Sequence, residues 1–122
     1  MTQIEVSVIT PVRNGGKYIK NAVISVEKQA YPCEHIIVDD FSGDDTWDII
    51  LQLSQDRPWI KPIKLKKKTG PIGARNIGIK NSKGRYIAFL DADDIWLPGK
   101  LKSQISFMRA SGYVFSSLIT NV

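Results

Sequence analysis

Apolar residues occur along this chain in two alternating kinds of run. Short, β-branched stretches read as buried strands: Glu5–Thr10 (EVSVIT), His35–Val38 (HIIV), Ile60–Leu65, Arg85–Leu90 and Tyr113–Ile119. Between them, apolar positions recur at helical spacing. Over Lys17–Gln29 they fall at Tyr18, Ile19, Ala22, Val23 and Val26, one stripe of a helix. Over Thr46–Gln55, Trp47, Ile50, Leu51 and Ser54 share a side; beyond Gly70, Ala74, Ile77 and Gly78 face inward; from Pro98 to Met108, Leu101, Ile105 and Met108 do the same. Punctuation agrees with these boundaries. Pro11 closes the first strand, Asn14-Gly15-Gly16 and Asn81–Gly84 are turns, Tyr31-Pro32 ends the first helix, and Pro71 fits the first turn of the third. The fourth strand is apolar throughout and reads as central, whereas the lysines of the third place it at an edge.

Strand and helix therefore alternate from end to end. This order predicts an α/β fold, a Rossmann-like open and mainly parallel sheet with helices on both faces. At 122 residues the chain is long enough for a single domain with a small core. Open sheets of this kind bind ligands outside the carboxyl ends of their strands. Those ends carry Thr10-Pro11-Val12-Arg13-Asn14, Asp39-Asp40 and Asp91-Ala92-Asp93-Asp94, which are expected to gather along one edge.

The last group presents a physical problem. Three carboxylates within four residues repel one another unless a cation lies between them or one stays protonated. Strand alternation would send Asp91 and Asp93 to one side and Asp94 to the other. Two carboxylates flanking an alanine suit a hard cation such as Mg²⁺, which completes its shell with water and phosphate oxygens. The plainer alternative, an Asp capping the next helix, accounts for one acid of the three. Arg75, near a helix start, is either a phosphate ligand or a surface ion-pair partner. Asp39-Asp40 either receives hydrogen bonds from a nucleobase or ribose, or forms an Asx turn into Ser42-Gly43. There is no G-x-x-x-x-G-K-[ST], no G-x-G-x-x-G after a strand and no G-x-S-x-G.

Charge adds one feature. The net charge is +5, and Lys61, Lys64, Lys66, Lys67 and Lys68 fall in one short stretch. These lysines either guard an edge strand or attract an anion: nucleic acid, a membrane surface or a phosphorylated ligand. No aromatic residues interleave with them, which argues against nucleic acid. Cys33 and His35 are single, too few for a four-ligand zinc site, and read as structural. A single cysteine fits a reducing compartment. The amino terminus has no signal-peptide pattern, and no apolar run approaches the roughly 18 residues that span a bilayer. The expected location is cytoplasmic.

Taken together, VSVITPVRN, HIIVDDFSGDDT and GPIGARNIGIKNSKGRYIAFLDADD resemble, in order and spacing, three segments of the family 2 glycosyltransferases of the GT-A fold. The resemblance runs from Val6 to Met108. It implies that Thr10 and Pro11 line a base pocket and that Asp40, with Asp39, binds the base, usually uracil. It implies that Arg75 contacts the diphosphate, that Asp91 lies near the ribose and metal-bound waters, and that Asp93 ligates Mn²⁺ or Mg²⁺. Arg13 stands where the family often has Tyr; it can stack on a base through its guanidinium or alter the base preference. The implied donor is a UDP-sugar and the implied acceptor a saccharide or lipid-linked chain, in surface polysaccharide synthesis at the inner membrane face. An inactive nucleotide-sugar-binding module would carry the same residues. Family members continue about as long again, so residues 1–122 are expected to be the donor half, with the acceptor part and its general base absent. No catalytic base is assigned, and the last strand's free edge would invite a homodimer.

Overall fold

The computed structural model describes residues 4–110 and 118–119. Strands and helices alternate as β1 Val6–Val12, α1 Gly16–Glu27, β2 Cys33–Asp39, α2 Thr46–Ser54, β3 Ile60–Lys64, α3 Gly70–Lys80, β4 Tyr86–Phe89, α4 Lys100–Ala110 and β5 Leu118–Ile119. Of the strand expected over Tyr113–Ile119, positions 113–117 lie outside the described residues. The strands form one sheet in the order β3-β2-β1-β4-β5, every neighbouring pair parallel. β4 is interior and β3 an edge, as their side chains predict.

Each face of the sheet is buried by helices. On one face Val6, Val8, Tyr86, Ala88 and Leu90 meet Ala22 and Val26 of α1 and Leu101, Ile105 and Met108 of α4. Beside them Ile37 and Ile60 pack with Ile19 and Val23 of α1 and Ile50 and Leu53 of α2. On the other face Ile9, Ile36 and Val38 meet Ala74 of α3. At about 25 cal/mol per Å² of apolar surface removed from water, these layers are the main source of stability.

Several local expectations give way to tertiary packing. β1 does not stop at Pro11 but runs to Val12. β4 pairs with β1 only as far as Ile9, so the missing N–H of Pro11 falls where one side of β1 has no ladder to break. In α2 the buried side is Thr46, Ile50 and Leu53, while Leu51 is exposed and Trp47 half-buried; the helix is turned toward α1. Tyr18 leaves the core stripe of α1 and is 46% exposed. α4 begins at Lys100 rather than Pro98, because Gly99 has φ 84°, which no helix interior accommodates.

The lysines of β3 are not a uniform edge guard. Lys61 Nζ lies 2.6 Å from Glu34 Oε1. Glu34 is buried and also accepts from Ser7 Oγ at 2.6 Å and Lys83 N at 2.7 Å, tying β1, β2 and the α3–β4 turn together. Burial opposes ionisation of Glu34, but Lys61 and these two donors together hold its carboxyl below the usual value.

Candidate functional site

With strand order 3-2-1-4-5, successive connections leave β1 in opposite directions, toward β2 and later toward β4. A crevice opens at such a switch point beyond the carboxyl ends. It is a cavity of about 560 Å³. Pro11 to Gly15 and Tyr18 form one wall, Asp40 another, Lys68, Pro71 and Arg75 a third, and Asp91 to Asp93 the fourth. Gly15 is needed where it stands: a Cβ there would lie 2.7 Å from Val12 Cγ2 and 3.6 Å from Ala92 Cβ. The small pair Gly15 and Ala92 lets the β1 loop lie against the acidic loop.

The acidic loop does not continue the strand. β4 ends at Phe89, and Asp94 N donates to Asp91 O at 3.0 Å, closing a turn. Strand alternation therefore fails here, and Asp94 is not sent to the far side. Asp91, Asp93 and Asp94 each present one carboxylate oxygen within 4.8 Å of the others. Arg75 Nη2 lies 3.0 Å from Asp91 Oδ1, and its guanidinium lies 5.1 Å from the ring centroid of Phe89. Arg75 thus pairs with one member of this acidic group, Asp91. Hard oxygen donors at this spacing, two of the three residues exposed to solvent, fit a hard divalent cation.

Asp40 is 4% exposed and anchors α3. Its Oδ1 accepts from Thr69 N at 2.7 Å and Thr69 Oγ1 at 3.1 Å, and its Oδ2 from Gly70 N at 2.9 Å. Two carboxylate oxygens have about four acceptor positions, and these three donors leave one on Oδ2 unfilled. Asp39 is fully buried and behind the wall. Its Oδ1 accepts from Ser42 N at 3.2 Å and from Ser42 Oγ, the Asx turn, while its Oδ2 has no hydrogen-bond partner among the described residues. Ser42 Oγ in turn accepts from Asn14 N at 2.9 Å, and Asn14 Oδ1 accepts from Gly43 N at 2.8 Å, so the ends of β1 and β2 are laced together.

Of the residues singled out from sequence, Pro11, Arg13, Asp40, Arg75, Asp91 and Asp93 line one cavity. Thr10 does not: it is fully buried, with Oγ1 2.7 Å from His35 Nε2. His35 is likewise structural, and burial lowers its pKa to about 3. Tyr18 and Lys68 line the cavity without having been singled out. Tyr18 lay in an apolar stripe, and Lys68 in a lysine run read as a whole, as an edge guard or an attractor of anions.

Comparison with known proteins agrees with this geometry. The model of glycosyl transferase family 2 matches residues 7–120. WfaP of Escherichia coli, a UDP-Glc:alpha-D-GlcNAc-diphosphoundecaprenol beta-1,3-glucosyltransferase, is 46% identical over 112 residues, 91% of this chain and 44% of WfaP. TuaG of Bacillus subtilis (strain 168), named for teichuronic acid biosynthesis, is 44% identical over 91% of this chain and 44% of its own. S. aureus TarS, solved in complex with UDP, superposes with a TM-score of 0.79 at 32% identity, covering 88% of this chain and 32% of that one. The chain thus spans less than half the length of these relatives. A switch-point crevice edged by converging carboxylates, on a sheet shared with TarS and under a family model that covers nearly every residue, makes this chain a member of glycosyl transferase family 2.

Proposed function

We propose that this chain binds the donor of a glycosyltransferase reaction, a nucleoside-diphosphate sugar with UDP as its carrier, together with Mn²⁺ or Mg²⁺. The observation that carries the reading is the convergence of Asp91, Asp93 and Asp94 at the rim of a cavity that also holds Asp40 and Arg75. Charge supports it. Among the cavity's lining residues Asp40, Asp91 and Asp93 are balanced by Arg13, Lys68 and Arg75, so a divalent cation brings a charge of +2 to meet a diphosphate diester of −2.

In this reading the open acceptor position of Asp40 receives a base N–H, and Arg13 lies against the base. Asp39 and Thr10 act from behind the wall, Asp39 by holding the Ser42–Asn14 link. Asp91 serves both the ribose side and the metal, and Asp93 is a metal ligand with Asp94 beside it. Arg75, oriented by Asp91 and Phe89, donates to the diphosphate. When bound, the cation supplies Lewis-acid stabilisation of charge on the leaving nucleoside diphosphate. The acceptor is a saccharide or lipid-linked chain, and the work is done at the inner face of a membrane. WfaP's named acceptor supports that assignment. Among the described residues no helix is long and apolar enough to cross a membrane.

Calorimetric titration of this chain with UDP, in Mn²⁺ and again in EDTA, tests the proposal, with GDP as the competing base. Metal-dependent binding that prefers UDP is expected. Equal binding in EDTA, or none by the folded chain, overturns it.

A further inference from the structure

We infer that Lys68 is a diphosphate-binding residue of this site, a role that rests on the donor-binding reading above. The lysine run from which it comes is not one patch. Lys61 is taken by buried Glu34 at 2.6 Å, and Lys64 lies 5.7 Å from the ring centroid of Trp47. Lys68 alone of the run lines the cavity.

Three observations give it work there. First, the cavity contains a helix start, α3, that would ordinarily be the anion site. Two of its N–H groups, those of Thr69 and Gly70, donate to Asp40, and Pro71 has none to offer. Less of the helix start is left for a diphosphate, which gives a side-chain cation work to do beside the metal. Second, Arg75 is shared, since Asp91 holds its Nη2 at 3.0 Å. Lys68 has no ion-pair partner among the described residues. Third, the residue after Lys68 is clamped. Thr69 gives both its N–H and its hydroxyl to buried Asp40, so the lysine stem departs from a fixed point at the cavity wall.

The ammonium is a compact charge with three donors. It gains more from a doubly charged diphosphate in a partly enclosed crevice than from a neutral base edge. Asp40 thus takes two N–H groups at the start of α3 and, through Thr69, fixes the point from which Lys68 departs.

The test compares UDP with uridine, both in Mn²⁺, by calorimetry for UDP and NMR titration for uridine. The proteins are the unmodified chain, Lys68→Ala and Lys68→Arg, with Lys66→Ala and Lys67→Ala as charge-matched controls. Lys68→Ala is expected to weaken UDP binding roughly tenfold or more and to leave uridine within about twofold, as a charge-assisted contact to phosphate requires. Lys68→Arg retains most of the UDP affinity, and the two controls bind UDP as the unmodified chain does. Unchanged UDP binding by Lys68→Ala overturns the inference alone. So does equal weakening of UDP and uridine, or equal loss in the controls, which would mean a base contact or a diffuse field. Failure of the unmodified chain to bind UDP overturns the donor reading itself.

Discussion

Asp40 Oδ1 accepts a hydrogen bond from the backbone N–H of Thr69 at 2.7 Å, so the end of β2 holds the start of α3. A residue that also faces the cavity therefore carries structural load. Asp40→Ala is expected to cost about 1–3 kcal/mol of stability, because buried N–H donors lose a charged acceptor. Urea denaturation measures this. An unchanged midpoint would mean that the cap contributes nothing and that Asp40 serves the ligand alone.

Asp93 behaves oppositely. It is exposed and sits beside two other carboxylates. Asp93→Ala removes like-charge repulsion and should leave stability unchanged or raise it by about 0.5 kcal/mol. Mn²⁺ affinity should fall on the order of tenfold or more, since a hard cation loses one of few carboxylate ligands. Titration of Mn²⁺ by its paramagnetic resonance signal, beside a thermal melt, separates the two effects. Retained affinity would remove Asp93 from the metal site.

Phe41 follows Asp40 with φ 61° and half of its surface exposed. A bulky residue in the left-handed region is strained by about 1–3 kcal/mol, and glycine is not. Phe41→Gly gives back part of that gain through unfolded-state entropy. The net expectation is a chain more stable by about 1 kcal/mol in chemical denaturation; a less stable one would mean that the aromatic ring makes up for its backbone.

His35 makes stability pH-dependent. Its pKa falls from 6.5 to about 3 on burial, so between those values the unfolded chain binds the extra proton. The stabilisation is complete above pH 6.5 and is lost as pH falls toward 3, at up to about 1.4 kcal/mol per pH unit. Glu34, whose carboxyl is held low by Lys61, adds a loss of the same sign below its ordinary value of 4.5. Urea midpoints at pH 7, 6 and 5 should decline, and His35→Gln should flatten the decline. A flat profile in the unmodified chain would contradict a neutral, buried His35.

Much of the site was legible because its residues follow strands. Arg13, Asp40, Asp91 and Asp93 each come within a few positions of a strand's end, and an all-parallel sheet delivers every such end to one side. Thr10, expected to line a base pocket, is fully buried for a related reason. It too lies at a strand's end, but the strand continues past Pro11, and its hydroxyl is drawn to His35 on the neighbouring strand. Tyr18 and Trp47 show the limit of periodicity. Both are apolar at helical spacing, and only the neighbours decide which edge of a wide stripe is covered.

The sequence by itself determined the kinds of element, their order and hence the parallel sheet, because apolar period and turn residues act over a few positions. It also posed the problem of three acids within four residues, since repulsion at that spacing is independent of fold. Only the tertiary structure decided the strand order that opens the crevice and the turn that draws Asp94 to Asp91. The division of the lysines among Glu34, Trp47 and the cavity was settled there too, as was the capture of two N–H groups at the start of α3 by Asp40. Apart from the Asp91–Asp94 turn, these are contacts between residues far apart in the chain, and no local pattern encodes a distance that depends on how whole layers pack.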